Sequence, residues 1–260
     1  MYDAFSDSYD RFVNWPSRLA FEMPFIEAQL HLLAPSNARP LRILDAACGT
    51  GMHVLALAQA GYTASGADLS AGMIQRARQN AQAHNLQVEF FTAGFGELAP
   101  VTGAGHFDVL LCLGNSLPHV LSPGALAGTL ADFAACLLPG GLLLVQNRNF
   151  DALLRNQERW MEPQADKTRA EEWLFLRFYD YLPDGLVNFN VISLSRRAAE
   201  PWQQRIHTTQ LRPLLQAELV QALNASGFTR IRAYGGMDGA PFDPARSGNL
   251  VVAAWLDGNG

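Results

Sequence analysis

A chain of 260 residues with 49% hydrophobic and 17% charged residues can bury a sizeable core, either as one large domain or as a core with an insertion. Its net charge of −5 without a basic run argues against a nucleic-acid partner, and no apolar run reaches the roughly 18 residues of a membrane span. Cys48, Cys112 and Cys136 are scattered and form no Cys-x-x-Cys pair, which fits reduced packing thiols in a cytoplasmic protein better than a disulfide or metal centre. The N-terminus lacks a basic segment followed by an apolar one, so no signal peptide is expected.

Residues 1–40 read as a helical arm with a stripe at Tyr9, Phe12, Val13, Leu19, Phe21, Phe25 and Ile26. Pro16 and Pro24 are expected to divide it into two or three short helices, and Pro35–Pro40 reads as a connector. From Leu41 strands and helices alternate. Strand one spans Leu41–Ala46, a helix covers about His53–Ala60, and strand two is Thr63–Asp68. A helix capped by Ser70 runs to about His84, followed by strands at Leu86–Thr92 and Phe107–Leu113. A helix over about Ala125–Leu138 is expected to stop at Pro139-Gly140-Gly141, before strand five at Leu142–Gln146. This alternation implies a parallel sheet with helices on both faces.

After Phe150 the pattern becomes β-rich. Trp173–Leu182 and Leu186–Ser195 flank the turn signal Pro183-Asp184-Gly185, with Arg205–Leu211 as a third strand. Leu214–Ala225 reads as a helix, and Thr229–Tyr234 and Leu250–Trp255 as closing strands. The expected division is an arm (1–40), a ligand-binding core (41–150), a β-rich insertion covering the substrate (151–212) and a completion of the core sheet (213–260).

The stretch Leu44-Asp45-Ala46-Ala47-Cys48-Gly49-Thr50-Gly51 carries the chemical signal. It sits outside the carboxyl end of a strand, where such sheets bind nucleotides. A dinucleotide fingerprint needs a third small residue where Val54 stands. Asp45 at the strand tip would repel a pyrophosphate and suits a cationic group, while Asp68 closes strand two where a ribose-binding acid belongs. An adenosyl ligand with a cationic tail and no phosphate fits both.

This stretch resembles the first motif of class I S-adenosylmethionine-dependent methyltransferases, and the similarity extends over about Leu41–Gln146. The resemblance implies a doubly wound, Rossmann-like α/β sheet, mostly parallel with an antiparallel last strand, and S-adenosylmethionine as cofactor. It further implies that Ala47, Gly49 and Gly51 let the backbone approach the methionine part, that Asp45 serves the amino group, and that Asp68 chelates the ribose. Leu69 and Met73 would flank the adenine. Where the family carries a polar residue at the adenine edge, this chain has Ala93-Gly94-Phe95, so backbone groups of Gly94 and Phe95 would serve instead.

Leu113-Gly114-Asn115-Ser116-x-x-His119 after strand four, with Arg148-Asn149-Phe150-Asp151 after strand five, is similar to the glycine/sarcosine N-methyltransferase group. By that resemblance Asn115 orients the amine, Arg148 clamps the acceptor's carboxylate, and Leu113 and His119 line the methionine side, with His119 relaying a proton. Arg18 in Ser17-Arg18-Leu19-Ala20 would meet the cofactor carboxylate, and Tyr2 or Tyr9 would be the arm's aromatic ligands. Methyl transfer from a sulfonium is an in-line displacement catalysed mainly by positioning and desolvation. An alkyl amine of pKa about 10 is neutral only about one part in 10³ at pH 7, a cost of roughly 4 kcal/mol that a neighbouring sulfonium helps to meet.

Other roles stand beside these. Arg148 could pair with Asp151 or Glu158, His119 could be a structural histidine, and Asn115 a turn residue. The acceptor is expected to be a small molecule: an amine or amino acid, or another nitrogen, oxygen or carbon. A cofactor-binding partner without turnover is the alternative of another class, and assembly into a homo-oligomer is compatible with the chain.

Overall fold

The computed structural model describes residues 10–11, 13–33 and 39–258. Tyr2, Tyr9, Phe12 and most of the Pro35–Pro40 connector lie outside them.

Helix α1 (Trp15–His31) runs unbroken for 17 residues, so the expected break at Pro24 does not occur; Asp10 and Arg11 are helical ahead of it, and the arm is divided at Val13 and Asn14, just before Pro16. Pro16 falls in its first turn, where a missing N–H costs nothing, and Asn14 caps that turn by accepting from the Ser17 N–H at 3.2 Å. Pro24 lies inside the helix without ending it. Phe25, Ile26 and Leu30 are buried against the core just beyond it, and that packing outweighs one lost backbone hydrogen bond.

The core follows as β1 (Arg42–Asp45), α2 (Met52–Gln59), β2 (Thr63–Asp68), α3 (Ala71–Ala83), β3 (Glu89–Thr92), α4 (Leu98–Thr102), β4 (Phe107–Cys112), α5 (Pro123–Cys136) and β5 (Leu137–Arg148). The chain then forms α6 (Phe150–Asn156), β6 (Gln164–Lys167), β7 (Glu171–Tyr181), β8 (Val187–Arg197), β9 (Gln203–Leu211), α7 (Gln216–Ala225), β10 (Phe228–Tyr234) and β11 (Asn249–Leu256). The first sheet has seven strands in the order β10-β11-β5-β4-β1-β2-β3, parallel except where β11 runs antiparallel to both neighbours. The second has the order β6-β7-β8-β9 and is antiparallel throughout.

Both faces of the central strands are buried, which explains their continuous apolar runs. Leu44, Leu110 and Leu143 face α4, α5 and α7; Ile43, Val109, Leu111 and Leu144 face α1, α2 and α3. The three cysteines are free and buried. Among the described residues no helix is long and apolar enough to cross a membrane.

Three expectations need correction. The helix α5 ends at Cys136, and Pro139-Gly140-Gly141 lies within β5, whose Leu137 already pairs with Phe107. The residue before a proline is kept out of the helical region, so the turn signal acts earlier than its own position. Strand β3 forms only from Glu89. The inserted sheet gains a fourth strand, β6, whose four residues alternate in exposure and carry no apolar run.

Gly51 caps α2 at φ +82°, and a Cβ there would lie 2.9 Å from the Phe90 ring. Both the left-handed backbone and the contact exclude a side chain. Gly51→Ala is expected to cost at least about 2 kcal/mol, read as a lower thermal unfolding midpoint.

Candidate active site

A cleft of about 870 Å³ opens at the carboxyl ends of the parallel strands, and a second chamber of about 490 Å³ continues from it between α1, the end of β5 and the inserted sheet. Arg18, Gly114 and His119 line both.

The cleft gathers Arg18, Asp45, Ala47, Gly49, Asp68, Leu69, Met73, Gly94, Phe95, Leu113 and His119. Gly51 is not among its walls: it is small because Phe90 packs there, which corrects the expectation that it admits the ligand. Asp68 fixes the turn from below, accepting the Gly49 N–H on one carboxylate oxygen and the Ser70 N–H on the other, both at 2.9 Å. The Ser70 hydroxyl in turn accepts from Met73 N–H, starting α3 beside the cleft.

Asp45 is 2% exposed and makes no ion pair among the described residues; its one hydrogen bond is the Ala47 N–H at 3.3 Å. Burial pushes its carboxyl up to about 6, against the opposing pull of His53. A buried carboxylate so placed is complementary to a cation arriving in the cleft.

Below Asp45 lies an ionic chain that the sequence did not announce. Arg18 Nε donates to both Glu22 oxygens at 3.1 and 3.0 Å, one helical turn apart, and His53 Nε2 lies 2.7 Å from the same carboxylate. Burial alone would raise the Glu22 carboxyl, but the bond to His53 and the charge of Arg18 hold it below the usual range. Arg18 also stacks over Trp15, its guanidinium carbon 5.2 Å from the ring centroid. Trp15 and His53 line the cleft as well, although no spacing rule singles them out.

The far wall is apolar. Leu69 is 76% exposed and reaches over Gly94, its Cδ1 3.0 Å from where a Cβ would stand. Asp132 on α5 accepts the N–H groups of Gly96, Leu98 and Ala99, each at 2.9 Å, and thereby anchors the loop that carries Gly94 and Phe95. Asp45 for a cation, Asp68 for a diol and this wall for a planar ring match the parts of an adenosyl sulfonium.

The loop after β4 is sewn to the end of β5. Gly114 and Asn115 take positive φ in succession, with Gly114 N–H donating to Gln146 Oε1 at 2.8 Å and Asn115 N–H to the Gln146 carbonyl at 3.0 Å. Asn115 Oδ1 accepts the Arg148 N–H at 2.9 Å, so this side chain is both a turn residue and the link that sets Arg148 at the chamber wall. Arg148 makes no ion pair among the described residues, and its buried Nε has no hydrogen-bond partner. Asp151, one of its candidate partners, instead accepts the Gln216 N–H.

His119 ends a single 3-10 turn (Leu117–His119), and burial pushes its imidazole down to about 4, so it stands neutral at pH 7. The insertion contributes Arg177, Tyr179, Phe189 and Val191 to the chamber, alternate residues of β7 and β8 that face it. Only the pairing of the insertion against the core could assign them.

Comparison with known proteins accords with this geometry. Residues 43–141 match the family described as Methyltransferase domain. The chain is 28% identical over 236 residues to a glycine/sarcosine N-methyltransferase of Aphanothece halophytica, covering 90% of this chain and 81% of that one. It is 34% identical over 152 residues to the glycine/sarcosine N-methyltransferase of Halorhodospira halochloris, covering 58% of this chain and 54% of the relative. Its fold is that of an S-adenosylmethionine-dependent methyltransferase from Clostridium acetobutylicum ATCC 824, with a TM-score of 0.77 at 16% identity over 99% of both chains.

Proposed function

We propose that this chain, an S-adenosylmethionine-dependent methyltransferase, methylates the nitrogen of a small amine that bears a carboxylate, of the glycine or sarcosine kind. The observation that carries the reading is Arg148: a guanidinium at the end of β5, in the chamber adjoining the cleft, with no anion to pair with among the described residues. A carboxylate would meet it through charge-assisted, bidentate hydrogen bonds.

Bound S-adenosylmethionine supplies an electrophilic methyl group on sulfur. The residues of this chain hold and orient. Asp45 would face the cofactor's ammonium and Arg18, steadied by Glu22 and Trp15, its carboxylate. Asp68, which lines the cleft, would take the ribose hydroxyls as acceptors. Leu69 and Met73 would flank the adenine, the Gly94–Phe95 backbone would serve its edge, and Ala47, Gly49 and Leu113 would border the methionine part.

Asn115 Oδ1, already holding the Arg148 N–H, accepts an amine N–H on its second lone pair and so turns the nitrogen lone pair toward the cleft. With its imidazole near 4, His119 is too weak to remove the proton fully. It would serve as a neutral hydrogen-bonding relay through which the proton passes to solvent, and the ammonium would shed that proton chiefly because a second cation beside a bound sulfonium is disfavoured.

A methyl-transfer screen over amino acids, simple amines, phenols and thiols tests the reading. Turnover confined to phenols or thiols would contradict it. The Asp45 carboxyl gives a separate expectation. A cation prefers ionised Asp45, so cofactor affinity should be flat above pH 7 and fall by up to tenfold per pH unit below about 6, in calorimetric titrations from pH 5 to 8. Stability has the opposite sign. The folded chain binds the Asp45 proton more tightly than an unfolded chain with a pKa of about 3.9, so acidification from 7 toward 4 stabilises the ligand-free fold through this group.

A further inference from the structure

We propose that the Tyr179 hydroxyl is a second anchor for the acceptor's carboxylate, acting beside Arg148 and setting the preference for an acid over its neutral analogues. The inference rests on the reading of Arg148 as a carboxylate clamp and adds a specificity-determining residue to it.

Tyr179 is 2% exposed, and its ring packs against Phe150 and Phe189 with centroids 6.3 and 5.6 Å away. That packing needs a large apolar ring, which phenylalanine would supply without having to desolvate a hydroxyl. The Tyr179 hydroxyl makes no hydrogen bond among the described residues, and the side chain lines the same chamber as Arg148, Asn115 and His119. Tyr181, two positions along the same strand, is the contrast. Its hydroxyl lies 2.6 Å from the Glu158 carbonyl and 3.1 Å from that of Leu153, an arrangement complete within the fold.

The chemistry at Tyr179 suits an anion. Burial pushes its phenol up to about 12, and of the charges around it Arg148 pulls hardest in the other direction. At neutral pH the hydroxyl therefore keeps its proton and can donate it in a hydrogen bond. Guanidinium N–H groups and a phenolic O–H lining one chamber complement the two oxygens of a carboxylate. A primary amide offers one oxygen only, and that oxygen carries no charge, so it is the weaker acceptor for both groups.

Tyr179→Phe keeps the ring and removes only the hydroxyl. The first measurement is the affinity for acetate, the carboxylate alone, of protein saturated with S-adenosylhomocysteine. A loss of about 10- to 100-fold in the variant is expected. The second is steady-state methylation of glycine, where KM should rise by a similar factor, kcat should stay within about twofold, and the amide of glycine should be affected several-fold less. Equal acetate affinity in wild type and variant would overturn the Tyr179 assignment and leave the Arg148 clamp standing. If the wild type binds no acetate and methylates no carboxylate-bearing amine, the Arg148 reading falls and the Tyr179 inference with it.

Discussion

Asp68→Ala is expected to weaken S-adenosylmethionine binding by at least about 100-fold in calorimetric titration. Two effects add. A carboxylate hydrogen bond to a hydroxyl contributes about 1.5–3 kcal/mol, and the ribose offers two hydroxyls. The same carboxylate holds the Gly49 and Ser70 N–H groups, so its removal also loosens the turn and the start of α3 on which the ligand rests. Asp68→Asn separates the two contributions: it keeps one acceptor oxygen and should lose less affinity than alanine. Unchanged affinity in Asp68→Ala would remove Asp68 from the cofactor site, and a thermal unfolding curve for each variant reports the part that belongs to the fold.

The second large effect is expected at Arg148. Arg148→Ala should raise KM for an amino-acid acceptor about 100-fold, roughly 3 kcal/mol, while cofactor affinity stays within a factor of two. The split is expected because Arg148 lines the second chamber, where the acceptor is proposed to sit, and not the cleft that gathers Asp45 and Asp68. Its backbone N–H, which Asn115 holds, survives the substitution, so the loop after β4 should stay in place. In the wild type, glycine should be preferred to its amide by a similar factor. Equal use of acid and amide would argue against the clamp, and a matching loss of cofactor affinity in Arg148→Ala would indicate a general disturbance of the site.

Much of the cofactor cleft was legible in the amino-acid order because its parts are local. Asp45, Gly49 and Asp68 stand at the ends of strands whose apolar runs mark them, and the turn after a parallel strand has a small set of backbone solutions. Gly51 was legible as a conformational requirement and misread as a ligand contact. A positive φ is a property of one residue, but the neighbour that a missing Cβ admits, here Phe90, is 39 positions away. Likewise Pro24 signals a break that the burial of Phe25 and Ile26 overrides.

The second chamber, proposed for the acceptor, was less legible, for the same reason on a larger scale. Asn115 and Arg148 could be named, but that Asp151 stands against the Gln216 N–H, 65 residues along the chain, and makes no ion pair with Arg148 is a matter of tertiary packing. Nothing in the alternation of β7 separates Tyr179 from Tyr181; the carbonyls of Leu153 and Glu158 do, by engaging one hydroxyl and not the other. The sequence by itself determined a strand–turn–helix suited to an adenosyl cation, because spacing along the chain and residue type suffice for it. Only the tertiary structure decided which charged and hydroxyl groups remain available to an acceptor, because that is settled by partners far apart in sequence.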